Sequence, residues 1–319
     1  MQGLHLGQEI YLFFNKYNSW GLIGIIISIL ILAFIIYKVL KISYKNTDIN
    51  TYSNFITKIM SKKYLGTIIQ NVINIFLIIS FYIMVAGFAT YFKQEFGISM
   101  FLGSAFIAIF CYITFSKDIS GIIKVNSIVV PAIIGLVLCL GFSQINEIKS
   151  IGLDFEKANL NWGISSILYA SYNSILLIPM LIGLKTQIKE ERHIKIIAII
   201  CMLILVILSV VIFLLIETIG SPEDIEMPLV YIAGNLKIIY KYLYGVVILS
   251  AIFTTAISAG YGFLNNIVKN KKMYSYLNLF ICTSSVLVSN IGFSNLINYL
   301  YPVFGVLGIV QIGYIIKTR

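Results

Sequence analysis

Glu9 is the carboxylate that falls inside an apolar run, between Gly7-Gln8 and Ile10-Tyr11-Leu12-Phe13-Phe14. An ionisable side chain in such a setting suits a proton carrier or a cation ligand. In the first turn of a helix, the positive end of the dipole favours its anionic form. The competing reading is a solvated, frayed N-terminus. A second group, Ser171-Tyr172-Asn173-Ser174, lies within the small and polar stretch Tyr169–Ser174, and Pro179 follows. Small and polar residues there let a helix unwind where it lines a cavity, and freed N–H groups meet the carboxylate of a small ligand. Ser and Asn also serve as ordinary glue between helices. The third group is Thr254, Thr255 and Ser258. Positions 254 and 258 share a helical face, as do 255 and 258. Their hydroxyl oxygens suit a hard cation, against the plainer reading that Thr and Ser bond back to their own helix.

Other chemistries find no support. His5 and His193 do not form a metal pair, since His193 sits in a charged loop. Cys111, Cys139, Cys201 and Cys282 fall in apolar runs without CxxC spacing, so neither zinc nor a disulfide frame is indicated. Gly3 and Gly7 have no preceding strand and no P-loop lysine after them, so phosphate binding is not indicated. No Ser–His pairing or His/Asp/Glu constellation suggests an enzyme, and no cofactor is expected.

The elements that must hold these residues follow from composition. The chain has 319 residues, 59% hydrophobic and only 11% charged. A soluble domain carries about 25% charged residues, so an integral membrane protein is the class that remains. The net charge of +10 is strung along short loops, forms no single patch and does not point to nucleic acid. A membrane span needs about 20 apolar residues. The spans read at 20–40, 67–92, 98–116, 126–144, 163–184, 194–219, 239–265, 276–292 and 294–316, with a partial first span at about 7–17. The expected fold is one all-α transmembrane domain over 1–319, with nine full spans and a partial first one. Loops after even-numbered spans and the C-terminus hold most of the 23 Lys and Arg, whereas Lys16, Lys93, Lys149, Lys157, Lys237 and Lys241 lie on the other side. The positive-inside rule makes the lysine-rich side and the C-terminus cytoplasmic.

The spans also repeat. Spans 2–5 begin at 20, 67, 98 and 126, and spans 7–10 begin at 194, 239, 276 and 294, at a near-constant separation. A long third member recurs (67–92, 239–265), and so does a long connection before it (41–66, which is amphipathic, and 220–238, which opens Gly220-Ser221-Pro222). Five spans per copy is odd, so the copies enter the membrane from opposite sides. That is an inverted repeat, 1–144 and 163–316, of the kind found in secondary transporters. In this architecture the first span of each copy is discontinuous and its break forms the substrate site. The second copy breaks at Tyr169–Ser174. The first copy holds only Gly7–Tyr17, roughly 16 Å of helix, or about half the hydrocarbon core. The cytoplasmic half-helix is expected to be missing, which makes the chain N-terminally truncated.

These residues resemble the YkvI family of bacterial membrane proteins. The matching stretches are GQEIYLFF (7–14), MVAGFATYFKQEFG (84–97), GIIKVNSIVVP (121–131), YASYNSILLIP (169–179), TTAISAGYGF (254–263) and FSNLINYLYPVFGVLG (293–308). Members carry a Gly-rich GAGFASGQE-like segment in a complete first helix, and Met1–Leu6 replaces its upstream part here. The resemblance implies kinship with the amino acid–polyamine–organocation superfamily and a LeuT-like 5+5 fold in a bacterial cytoplasmic membrane. It further implies a bundle of spans 1, 2, 6 and 7 that rocks around the substrate site. The implied function is a secondary transporter of an amino acid or related organic cation, coupled to Na⁺ or H⁺ by alternating access. Substrate would meet Gly7, Gln8, Glu9, Ser171, Tyr172, Asn173 and Ser174, and Na⁺ would meet Thr254, Thr255 and Ser258. Two alternatives are a non-transporting receptor or complex subunit with the same fold, and an inactive truncated product.

Overall fold

A computed structural model describes residues 7–49, 52–59, 63–116, 121–149, 160–219, 225, 227–236, 238–268 and 270–318. Met1–Leu6, Met60 and Lys62 of the first long connection and 220–224 of the second lie outside these residues. The described residues are helical, with no strand among them. Chain order gives α1 (Gln8–Phe13), α2 (Trp20–Lys45), α3 (Tyr52–Ile59), α4 (Lys63–Phe96), α5 (Met100–Phe115), α6 (Gly121–Ser143) and α7 (Ile145–Lys149). There follow α8 (Asn161–Leu184), α9 (Glu191–Glu217), α10 (Pro228–Leu236), α11 (Ile238–Ile267), α12 (Lys271–Val288) and α13 (Phe293–Lys317). In hydrocarbon every backbone N–H and C=O must be paired within the chain, and a helix does this locally. Long runs of Ile and Leu such as those of α2 and α9 therefore become helices despite their β-branched residues.

Among the described residues, five helices are long and apolar enough to cross a membrane: Trp20–Lys45, Gly66–Phe96, Glu191–Glu217, Ile239–Ile267 and Phe293–Lys317. Asn161–Leu184 makes a sixth if its two bent halves count as one span. The partial span at 7–17 is not one helix. It consists of α1, a 3₁₀ turn at Asn15–Tyr17, and Asn18 with φ +51°. Asn15 Nδ2 donates to the Phe213 carbonyl at 3.1 Å. A Cβ on Gly21 would run into the Phe14 carbonyl, so only glycine lets the turn fold down onto the start of α2.

Contacts divide the chain into two compact units, and each draws on both halves of the sequence. One unit comprises Ile10–Ile73, Gly152–Phe213 and Tyr299–Arg319. It therefore holds most of α1, with α2, α3, α8, most of α9 and the greater part of α13. Within it α2 packs chiefly against α8. A core of Ile35, Val39, Phe55, Ile56, Ile178 and Ile194 joins α2, α3, α8 and α9. The amphipathic α3 buries Phe55 and Ile56 and leaves Lys58 exposed. Gln311 Nε2 donates to the Tyr52 hydroxyl at 2.6 Å, and burial pushes that phenol well above its usual range. The Lys185 ammonium donates to the carbonyls of Asn46, Thr47 and Ile49, closing the α2–α3 connection.

The other unit comprises Met1–Glu9, Asn74–Ile151 and Leu214–Asn298. Here α12 packs on α5, and α11 packs on α6 and α10. Gly87 faces the Phe293 ring, Gly260 the Phe115 ring and Gly262 Leu77, the close packing expected of small residues. Asn266 Nδ2 donates to Asn74 Oδ1 at 2.9 Å, tying α11 to α4.

Candidate functional site

Gly7 opens the first group. Its φ is +83°, a backbone conformation that favours glycine, and Leu229, Ile216 and Pro228 crowd the place a Cβ would take. Gln8 and Glu9 follow in the first turn of α1 and are buried, Glu9 completely. The Gln8 Oε1 atom is buried and accepts no hydrogen bond from the described residues. Such an atom in a native structure calls for an explanation, and a ligand is one. A solvated, frayed terminus is not what this burial describes.

The second group lies on α8, where the helix continues unbroken through Tyr169–Ile175. Asn173 Nδ2 donates to the Tyr169 carbonyl at 3.0 Å, and Ser174 Oγ donates to the Ser171 carbonyl at 2.7 Å. The expected break at Tyr169–Ser174 is instead a bend of 46° between Asn161–Ile175 and Leu177–Leu184. Its cause is Pro179. Proline has no N–H for the carbonyl four residues earlier, and its ring pushes that carbonyl away. That carbonyl is Ile175, where the first half ends. Ser171 is fully buried, and its Oγ has no hydrogen-bond partner among the described residues.

Around Tyr172 the structure adds residues that were not read as a site from sequence. The Phe13, Tyr172 and Tyr301 rings form a stack, with centroids 5.5 Å apart (interplanar 20°) and 4.6 Å apart (28°). Tyr169 meets Tyr172, Phe13 and Phe14 edge-on, at 5.5, 5.5 and 5.0 Å. Three chain segments, α1, α8 and α13, supply these rings. Glycines let α13 approach closely, since Cβ atoms on Gly305 and Gly308 would meet Leu168 and the Ser171 carbonyl. The negative faces of such rings attract organic cations. A cavity of about 240 Å³ adjoins them, lined by Phe13, Lys16, Asn161, Ser165, Leu168 and Pro302 among others.

The third group lies on α11. Thr254 Oγ1 donates to the Ala251 carbonyl at 3.1 Å, and Ser258 Oγ donates to the Thr254 carbonyl at 2.8 Å. Their protons are spent on their own helix, although their oxygen lone pairs remain acceptors. Thr255 is half-buried beside them. The same unit holds an ion pair that sequence reading passed over. Lys241 Nζ stands 2.6 Å from the Glu95 carboxylate, whose side chain is 6% exposed. The signal available was a lone Glu at the end of α4. Among the described residues, no group of three His, Cys, Asp or Glu is placed to hold a metal ion.

Described residues that are helical throughout, with several apolar spans among them, are those of a multi-pass membrane protein. The chain is similar to two proteins of Bacillus subtilis (strain 168). It is 24% identical to the uncharacterized membrane protein YkvI over 99% of this chain and 92% of that one. It is 26% identical to the uncharacterized protein YyaD over 96% of this chain and 89% of the relative. These matches run nearly end to end and support a YkvI-like family. No family model matches the chain.

Proposed function

We propose that this chain is a secondary transporter of a small solute, an amino acid or related organic cation, working by ion-coupled alternating access. The observation that carries this reading is the grouping of helices. The spans that begin at 7, 20, 163 and 194, the first two of each proposed repeat, fall largely in one compact unit, while most of the rest falls in the other. Inverted-repeat transporters move one such set of helices relative to another. The short helices α3 and α10, each placed before a long third span (α4 and α11), support the ten-span inverted repeat as well. As the family resemblance implies, substrate recognition is assigned to Gly7, Gln8 and Glu9 in one unit and to Ser171, Tyr172, Asn173 and Ser174 in the other, with the aromatic cluster around Tyr172 to attract an amine. Thr254, Thr255 and Ser258 are assigned the coupling cation, Na⁺, and Glu9 is assigned the alternative carrier, H⁺. The lysine-rich ends and the C-terminus are placed in the cytoplasm.

The test is uptake into proteoliposomes of radiolabelled amino acids and polyamines, under an imposed Na⁺ or pH gradient. The expected result is gradient-dependent accumulation of one chemical class. In Glu9→Gln we expect uptake to fall at least about tenfold, as for loss of a group made essential by burial, and its pH dependence to flatten. Unchanged, equally pH-dependent uptake by that variant removes Glu9 from the mechanism. A second reading, a receptor with the same fold, is favoured by the continuous helical course of α8 through Ser174. Saturable binding without flux would select it.

A further inference from the structure

One end of α2 carries a cavity unrelated to the residues above. It measures about 310 Å³ and is lined by Tyr37, Lys38, Lys41, Lys45, Lys58 and Thr318, among others. All of them belong to one compact unit. Lys38, Lys41 and Lys45 follow one face of α2 at helical spacing, and Lys58 comes from the exposed face of α3. Among the described residues, two side-chain carboxylates stand near these four ammonium groups. Glu191 lies 3.7 Å from Lys41 and 3.6 Å from Lys45, and Asp48 lies 3.7 Å from Lys58. Both are beyond good hydrogen-bonding range. Lys38 donates to the Thr318 carbonyl at 2.7 Å, and Lys41 donates to the Tyr37 hydroxyl at 2.9 Å. The lining is therefore left with a surplus of positive charge and with unused N–H donors.

The same face of α2 explains what would bring the opposite charge. Ile26, Leu30 and Phe34 are 42%, 50% and 43% exposed, and their four-residue spacing leads directly to Lys38. An exposed apolar stripe thus ends in a cationic cavity. Lysines placed merely to orient a membrane protein need no cavity and no stripe. The stripe sets the cavity at the edge of the lipid, where a headgroup arrives together with its acyl chain.

We propose that this cavity binds the phosphate of an anionic phospholipid, with an acyl chain lying along Ile26, Leu30 and Phe34. The phosphate diester sits among Lys41, Lys45 and Lys58, each a compact point charge with rotatable donors. Basic pockets between membrane helices are suited to such headgroups. The inference does not depend on transport.

The test uses the purified protein in mild detergent, exposed to phosphatidylglycerol or phosphatidylcholine with matched acyl chains and read by native mass spectrometry. Phosphatidylglycerol is expected to be retained at least about fivefold more than phosphatidylcholine, the ratio that one lysine-sized attraction gives. The triple variant K41Q/K45Q/K58Q should lose that preference, and K271Q/K272Q at the start of α12 should keep it. Raising the ionic strength from about 0.05 M to 0.5 M should erode the wild-type preference, because these charges are partly exposed and screened. This arm needs no variant to fold. Equal retention of the two lipids, or a preference untouched by both the triple variant and salt, would overturn the proposal. So would inorganic phosphate that binds the lipid-free protein through the same lysines and displaces phosphatidylglycerol at millimolar concentration, since that is a free-phosphate site.

Discussion

Ser171 on α8 and Thr254 on α11 are both buried hydroxyls on long apolar helices, yet they end differently. Thr254 donates to the Ala251 carbonyl of its own helix. Ser171 lies against the point where Gly308 brings α13 in, and its Oγ is buried without a partner. The next residue after Ser171, Tyr172, stacks with Phe13 and Tyr301, whereas Thr254 is followed by Ser258, itself bonded to the Thr254 carbonyl. Residue type alone therefore does not separate a hydroxyl that can still donate to a ligand from one that offers only its oxygen lone pairs. The unspent hydrogen-bonding capacity does, because a buried polar group without a partner costs about 1–3 kcal/mol. A fold keeps such a cost where a ligand relieves it.

Substitutions on the two helices sharpen this contrast. Tyr172→Ala removes the middle ring of a three-ring stack and should cost about 3 kcal/mol, as for other buried aromatics cut to alanine. A large fall in apparent Tm in detergent would show it, and an unchanged Tm would mean the stack carries no stability. Pro179→Ala returns an N–H to the Ile175 carbonyl. It should raise stability by about 1 kcal/mol and reduce the 46° bend, read as a longer spin-label distance between the two ends of α8. Ser171→Ala deletes an unpaired hydroxyl and should leave Tm level or slightly higher. If Ser171 meets substrate, KM rises by about three- to tenfold, the worth of one neutral hydrogen bond. A drop in Tm with unchanged KM would place Ser171 with Thr254. The smallest effect belongs to Thr254→Val, which removes a hydroxyl bonded to its own helix. A stability change below about 1 kcal/mol is expected, with loss of any Na⁺ dependence of uptake if the cation assignment is right.

Much of the helix layout was legible because bilayer thickness and backbone pairing leave few choices. The span read at 239–265 is α11 (Ile238–Ile267), and the one at 294–316 is α13 (Phe293–Lys317). The span read at 7–17 was not legible as a helix followed by a turn. That outcome depends on Phe213 accepting from Asn15, nearly two hundred residues away in sequence, and on space above Gly21. In α8 the proline was visible and its consequence was misplaced. Small polar residues draw attention as a break, but a proline disturbs the carbonyl four positions before it, which is Ile175. The stack of Phe13, Tyr172 and Tyr301 had no local signal at all, since each ring is unremarkable in its own apolar run.

The interleaving of the two units has a consequence for synthesis. The unit that contains α2 starts at Ile10, and its residues are complete only when Tyr299–Arg319 has been made. The other unit has all its residues once Asn298 leaves the ribosome. During translation α2 and α8 are therefore inserted long before Tyr301, Gly305, Gly308 and Gln311 exist to pack on their unit. Nascent chains ending at 298 should carry a finished set of contacts in one unit and an open seam in the other. That seam is where membrane chaperones and quality-control proteases would find their earliest foothold.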